Sequence, residues 1–162
     1  MNYRPGALGA ILDEYERAIR DLQSLVSTVT DQELTTVVDP DAPDPNCRSI
    51  QTVMAHVIRA GHNYAILFAS LDAPMGPLHE LEFHTTTPAY IRALDQVHAH
   101  TAEVLNRFPD AILDQFDPDK RILTHWGQSY DPEQLLEHAI VHILRHRRQI
   151  TRFLVRIRKA QR

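Results

Sequence analysis

His142 and His146 stand four residues apart near the end of the chain, with Gln149 following. At about 100° per residue from Leu135, positions 139, 142, 146, 149 and 153 all fall within about 40° of it, so the two imidazoles and the amide occupy the middle of an apolar stripe. Imidazoles at this spacing have Cβ atoms about 5–6 Å apart and can converge on one ion, each offering a neutral nitrogen at about 2.0–2.1 Å to zinc. A hydrogen-bonded pair of core histidines is the alternative. His56, within the apolar segment Met54-Ala55-His56-Val57-Ile58, offers a third ligand from another helix. Three imidazoles leave a position for water or substrate, and an open position separates a catalytic metal site from a closed structural one. His138, one turn before His142, lies off the stripe centre and is expected to edge the cavity rather than bind the ion.

What the clamp lacks also matters. Ile143 follows His142 where a zinc protease of the H-E-x-x-H type carries its glutamate, so that hydrolytic mechanism is disfavoured. No Glu-x-x-His pair recurs on two helices, as a di-iron carboxylate bundle requires. The pattern fits a mononuclear nitrogen site.

Other polar and aromatic residues are placed around this centre. Gln149 is read as a hydrogen-bond partner of a ligand imidazole or as a substrate contact, with a plain buried polar residue as the alternative. Tyr64 is placed at the same cavity, with plain core packing as the alternative, and Trp126 and Tyr130 are expected to pack at the bundle end or cover the pocket. His125 beside them reads as a solvated loop histidine, with a general base near the metal as the alternative. His62, His98 and His100 show no paired ligand spacing, and His79 and His84 fall in a proline-bounded loop, so all five are assigned to the surface or the rim. Cys47, beside Arg48 and a helix start, has an electropositive setting. The basic residues Arg145 to Arg162 are expected to form a solvated face, pairing with Asp13, Glu14 and Glu16 of the first helix.

These residues need elements to position them, and period 3.6 dominates the chain. A first helix is predicted over Ala7 to Val29, on a stripe that includes Leu8, Leu12, Tyr15, Ile19, Leu22 and Val26. A short helical turn follows from Thr30, and the three prolines of Asp39 to Asn46 exclude a regular element. Ser49 caps a second long helix, Ile50 to Leu71, whose wide apolar arc implies two neighbours. A third runs from Thr87-Pro88 to Phe108, then an irregular stretch from Pro109 to Tyr130. Asp131-Pro132-Glu133-Gln134 opens the last helix, which reaches about Arg158. The expected architecture is an all-α four-helix bundle with long connections, in one domain.

With 162 residues, one compact domain is the natural size. The chain has 17 Lys and Arg against 21 Asp and Glu, a net charge of −4 that disfavours a nucleic-acid partner. One cysteine cannot form an internal disulfide, which fits a reducing cytoplasm. No apolar run approaches a membrane span and the N-terminus lacks a signal-peptide pattern, so an unprocessed, non-membrane protein is expected.

The segment Glu137 to Ile150, with Trp126 to Gln134 before it and the histidine of the second long helix, resembles the DinB/YfiT-like superfamily, whose members are classed as metal-dependent enzymes. The likeness covers nearly the whole chain. In that family one histidine of the second helix and an HxxxH pair of the last helix bind the metal; the matching positions are His56, His142 and His146, followed by Gln149-Ile150. The resemblance implies a four-helix bundle of unusual connectivity, often a homodimer, with one divalent ion, commonly zinc or nickel. Relatives include transferases and isomerases that use low-molecular-weight thiols. Arg148 departs from the common form, where many members have glycine, and its angle on the helix aims it outward.

The function expected from these observations is a metal-dependent enzyme acting on a small molecule, with a thiol-dependent S-transferase first and metal-assisted hydrolysis second. A non-catalytic metal-binding or small-molecule-binding bundle is the alternative. A fourth protein ligand such as His138 would favour that alternative, and an open coordination position beside a pocket would favour the enzyme.

Overall fold

The computed structural model describes residues 3–161. The helices are α1 (Gly6–Val26), α2 (Asp31–Thr35), α3 (Ile50–Ala69), α4 (Thr87–Leu105) and α5 (Pro132–Ala160). Two-residue strands β1 (Ile122–Leu123) and β2 (Ser129–Tyr130) and three 3-10 turns occupy parts of the connections. The four long helices form the expected all-α bundle. Both α1 and α3 pack against α4 and α5, so α1 and α3 stand at opposite corners although they follow each other in the chain. The connection between them carries α2, which lies on α3.

The apolar stripes account for this packing. On α1, Leu8, Leu12, Tyr15, Ile19, Leu22 and Val26 are all buried. The broader arc of α3 is divided between α4 and α5, as an arc of that width requires. Start signals act as expected: Thr30 with Glu33, Ser49 with Thr52 and Asp131 with Gln134 each form a reciprocal capping box. Helix ends come earlier than the stripes suggest. α1 stops at Val26 rather than Val29, where the Ser27 and Thr28 hydroxyls donate to the carbonyls of Ser24 and Leu25. α3 ends at Ala69 and α4 at Leu105, and the next residues close by i to i+3 bonds, Leu71 to Phe68 and Phe108 to Leu105. α5 runs slightly beyond Arg158, to Ala160.

Two stretches read as irregular hold short structure. Within the proline-rich loop, Pro45–Cys47 forms a 3-10 turn started by Asp44, whose carboxylate accepts from the Asn46 amide. Between Pro109 and Tyr130, two 3-10 turns precede the β1–β2 hairpin, paired Ile122 with Tyr130 and Leu123 with Ser129. Gly127 turns the hairpin at φ 85°, a conformation that favours glycine. The hairpin leads directly into α5 and brings Trp126, Gln128 and Tyr130 to its first turns. Among the described residues, no helix is long and apolar enough to cross a membrane.

Candidate metal centre

The facing sides of α3 and α5 bring His56, His142 and His146 together. Nε2 of His56 and Nε2 of His142 are 2.9 Å apart. Ring centroids lie 4.9 Å apart for His56 and His142, 5.0 Å for His56 and His146, and 4.5 Å for His142 and His146. One nitrogen from each ring lies within 4.8 Å of the other two. Nitrogens bound tetrahedrally to one ion at about 2.0–2.1 Å stand about 3.3–3.4 Å apart, so closing this set on an ion means opening the His56–His142 pair slightly and drawing in the wider ones.

Electrostatics keeps these rings neutral. Burial, with the nearby His146 and Arg59 adding to it, pushes the His56 imidazole down to about 4. Burial lowers His142 further, to about 2, with His146, His56 and His138 contributing. His146, only 6% exposed, is also lowered, chiefly by burial. Three neutral imidazoles at neutral pH are the form that binds a divalent ion. Gln149 fixes one of them: its Oε1 stands 2.9 Å from His146 Nδ1, and an amide oxygen only accepts, so Nδ1 carries the proton and Nε2 keeps its lone pair. A hydrogen-bond network alone does not satisfy the cluster. One proton can be shared between His56 and His142, whereas the free Nε2 of His146 accepts no hydrogen bond among the described residues. The donor set fits a divalent ion of borderline softness.

A cavity of about 280 Å³ opens beside this cluster, with His56 and His142 in its wall. Tyr64, itself buried, lines it, with edge-to-face contacts to His142 at 5.7 Å and Trp126 at 6.0 Å between ring centroids. Trp126 is 40% exposed and lines the cavity, against the rings of Tyr64, Tyr130 and His138. His138 also lines the cavity but stands outside the nitrogen cluster. Its Nδ1 is 2.9 Å from the Tyr130 hydroxyl, which donates to Gln128 Oε1; the same oxygen accepts from Trp126 Nε1 at 2.8 Å. With its proton committed to Gln128, the Tyr130 oxygen accepts from His138 Nδ1, and His138 Nε2 is left with a free lone pair. His125 is exposed at the rim.

Sequence reasoning missed Arg59, Asn63 and Gln128. Arg59 and Asn63 line the cavity and lie three and seven residues after His56, a spacing that a helical wheel shows. Gln128 sits in a hairpin whose two-residue strands carry no readable period. Three further expectations are corrected. The histidines assigned to the surface or rim are half-buried, and His62, His79 and His100 pack together. Cys47 does not sit in a simple electropositive setting, because its Sγ lies 3.9 Å from the Asp44 carboxylate. The basic face of α5 pairs with Asp21, through Arg147, and with Glu33, through Arg158, whereas Asp13 and Glu16 are taken by Arg4.

The fold and the site define an all-α four-helix bundle with three histidines converging between its second long helix and its last. Residues 14–150 match the model of the DinB superfamily, and the chain belongs to that superfamily. The matched span contains His56, His142, His146 and Gln149. None of the curated proteins compared with the chain matches it.

Proposed function

We propose that this protein is a metal-dependent enzyme in which His56, His142 and His146 hold one divalent ion, zinc or nickel, at the wall of the cavity. The observation that carries the reading is the convergence of three neutral imidazoles beside an opening large enough for a small substrate, while His138 is engaged by Tyr130 and does not complete the shell. A bound ion would polarise a substrate or lower the pKa of a bound thiol or water. The chain's own groups do the remaining work. Tyr64 and Trp126 offer apolar walls, Arg59 offers a cation, and the free Nε2 of His138 is placed to accept a proton within the cavity. Transfer of a low-molecular-weight thiol to a small electrophile uses each of these features and is the reaction class we favour.

Metal content of untagged protein tests the site. We expect about one equivalent of divalent ion in the wild type and its loss in both His56→Ala and His142→Ala, with helicity by circular dichroism unchanged; retention by both variants overturns the assignment. A screen of electrophiles with several cellular thiols then tests the reaction. In that assay His138→Phe should keep its metal and lose turnover by about 10²-fold or more, the usual scale for a positioned proton acceptor. Full turnover in the variant removes His138 from the mechanism.

A further inference from the structure

A second set of imidazoles lies on another side of α3. His62 follows His56 by six residues, about 120° around the helix axis, and faces α4 rather than α5. Its Nδ1 is 3.0 Å from Nδ1 of His100 on α4. This head-on approach of two ring nitrogens repeats that of His56 and His142, at 2.9 Å. His79, from the α3–α4 connection, lies flat on His62, with centroids 4.3 Å apart and planes inclined by 11°.

The arrangement is fixed by the surrounding chain. The His79 amide donates to Asn63 Oδ1 at 2.7 Å, and His79 Nδ1 donates to the Glu80 carbonyl at 2.9 Å. Asn63 is itself buried, so the connection is tied to α3 at the point where His79 covers His62. Burial pushes His62 down to about 4, with His79 and His100 adding to the effect, so the ring is neutral at physiological pH. His100 is lowered too, by burial first, while the charge of Glu103 one turn further along α4 acts in the opposite direction. Two neutral rings are thus held on separate helices with nitrogens 3.0 Å apart, close to the about 3.3–3.4 Å that two nitrogens take around one tetrahedral ion.

We propose that His62 and His100 form a second site for a divalent transition metal, binding through their Nδ1 atoms. Imidazole nitrogen suits zinc, copper and nickel. His79 is not a third ligand, because its Nδ1 is committed to the Glu80 carbonyl and its remaining lone pair, on Nε2, lies in a plane stacked nearly parallel to that of His62 rather than converging with it. It walls one side of the site, and solvent fills the remaining positions. Two protein ligands instead of three make this site the weaker one. The inference does not depend on the reaction proposed above.

Titration of Zn²⁺ into untagged, metal-stripped full-length protein, in competition with a chromophoric chelator, tests this. The wild type should take up two equivalents, the second at least about tenfold more weakly. His62→Gln and His100→Gln should each lose the weak equivalent and keep the tight one, whereas His142→Gln should lose the tight one and keep the weak. A wild-type titration that ends at one equivalent overturns the proposal whatever the variants do, and so does a weak equivalent that survives both substitutions. In either case the pair is an N–H···N hydrogen bond and nothing more. Loss of the tight equivalent alone, or its absence, bears only on the cluster of His56, His142 and His146.

Discussion

The amide of Gln149 acts on the centre through one ring nitrogen. By accepting from His146 Nδ1 at 2.9 Å it selects the tautomer whose Nε2 is free, and it holds the plane of a ring that is almost fully buried. Removing such a partner typically costs about 10- to 100-fold in metal affinity. Gln149→Ala should therefore weaken metal binding by that factor, measured by chelator competition, while helicity stays unchanged; unaltered affinity would show that packing alone orients His146. This contact was legible in advance because a single helix carries both residues three apart. The Gln128, Tyr130 and His138 relay was not, since a two-residue strand has no period and the relay depends on how a hairpin is set against α5. The same limit hid the His62 and His100 pair, whose meeting is decided by the packing of α3 on α4 and by no spacing within either helix.

At the scale of elements, the starts of helices were easier to read than their ends. Thr30, Ser49 and Asp131 announce α2, α3 and α5 because a cap is a local chemical event between residues three apart. The ends of α1, α3 and α4 were overestimated because the apolar pattern outlasts the helix: Val29 is still buried and Phe108 still packs against Phe68 after the backbone has left helical geometry. What the stripes leave open is how closely two helices approach. Gly61 on α3 answers this for α4, since a Cβ built there would stand 2.5 Å from Val97 Cγ1 and 3.2 Å from the Tyr15 hydroxyl. Alanine favours a helix over glycine by about 0.5–1 kcal/mol, whereas overpacking costs about 1–3 kcal/mol. The steric term is the larger, so Gly61→Ala should be destabilising by about 1–2 kcal/mol in urea denaturation. A stabilised variant would mean that α3 and α4 can separate without loss.

Across the whole molecule, the far end of α5 is tied to the connection that follows α1. Arg158 Nε donates to Glu33 Oε1 at 2.6 Å and its Nη2 to the Thr28 carbonyl at 2.8 Å, while the Glu33 carboxylate also accepts from the Thr30 amide at 2.9 Å. One buried carboxylate thus caps α2 and holds the last turns of the longest helix against the first connection. The Arg158 guanidinium, opposed by burial and helped by the Thr30 amide, draws Glu33 from its ordinary 4.5 down to about 2. A carboxylate lowered on folding contributes stability above its unfolded value and loses that contribution as pH falls toward the folded one. The window therefore runs from about pH 4.5 down to about 2. The shift alone corresponds to about 3 kcal/mol, which the half-exposed Arg158 and solvent screening reduce to about 2 kcal/mol. Glu33→Gln should cost about that much at pH 7, and the difference from wild type should shrink below pH 4.5 and nearly vanish near pH 2. Other carboxylates protonate in both proteins over this range and cancel in the comparison. Denaturant curves for the two proteins at pH 7, 4 and 2.5 provide the measurement, and a difference that stays constant with pH would show that Glu33 acts through its shape and its cap rather than through its charge.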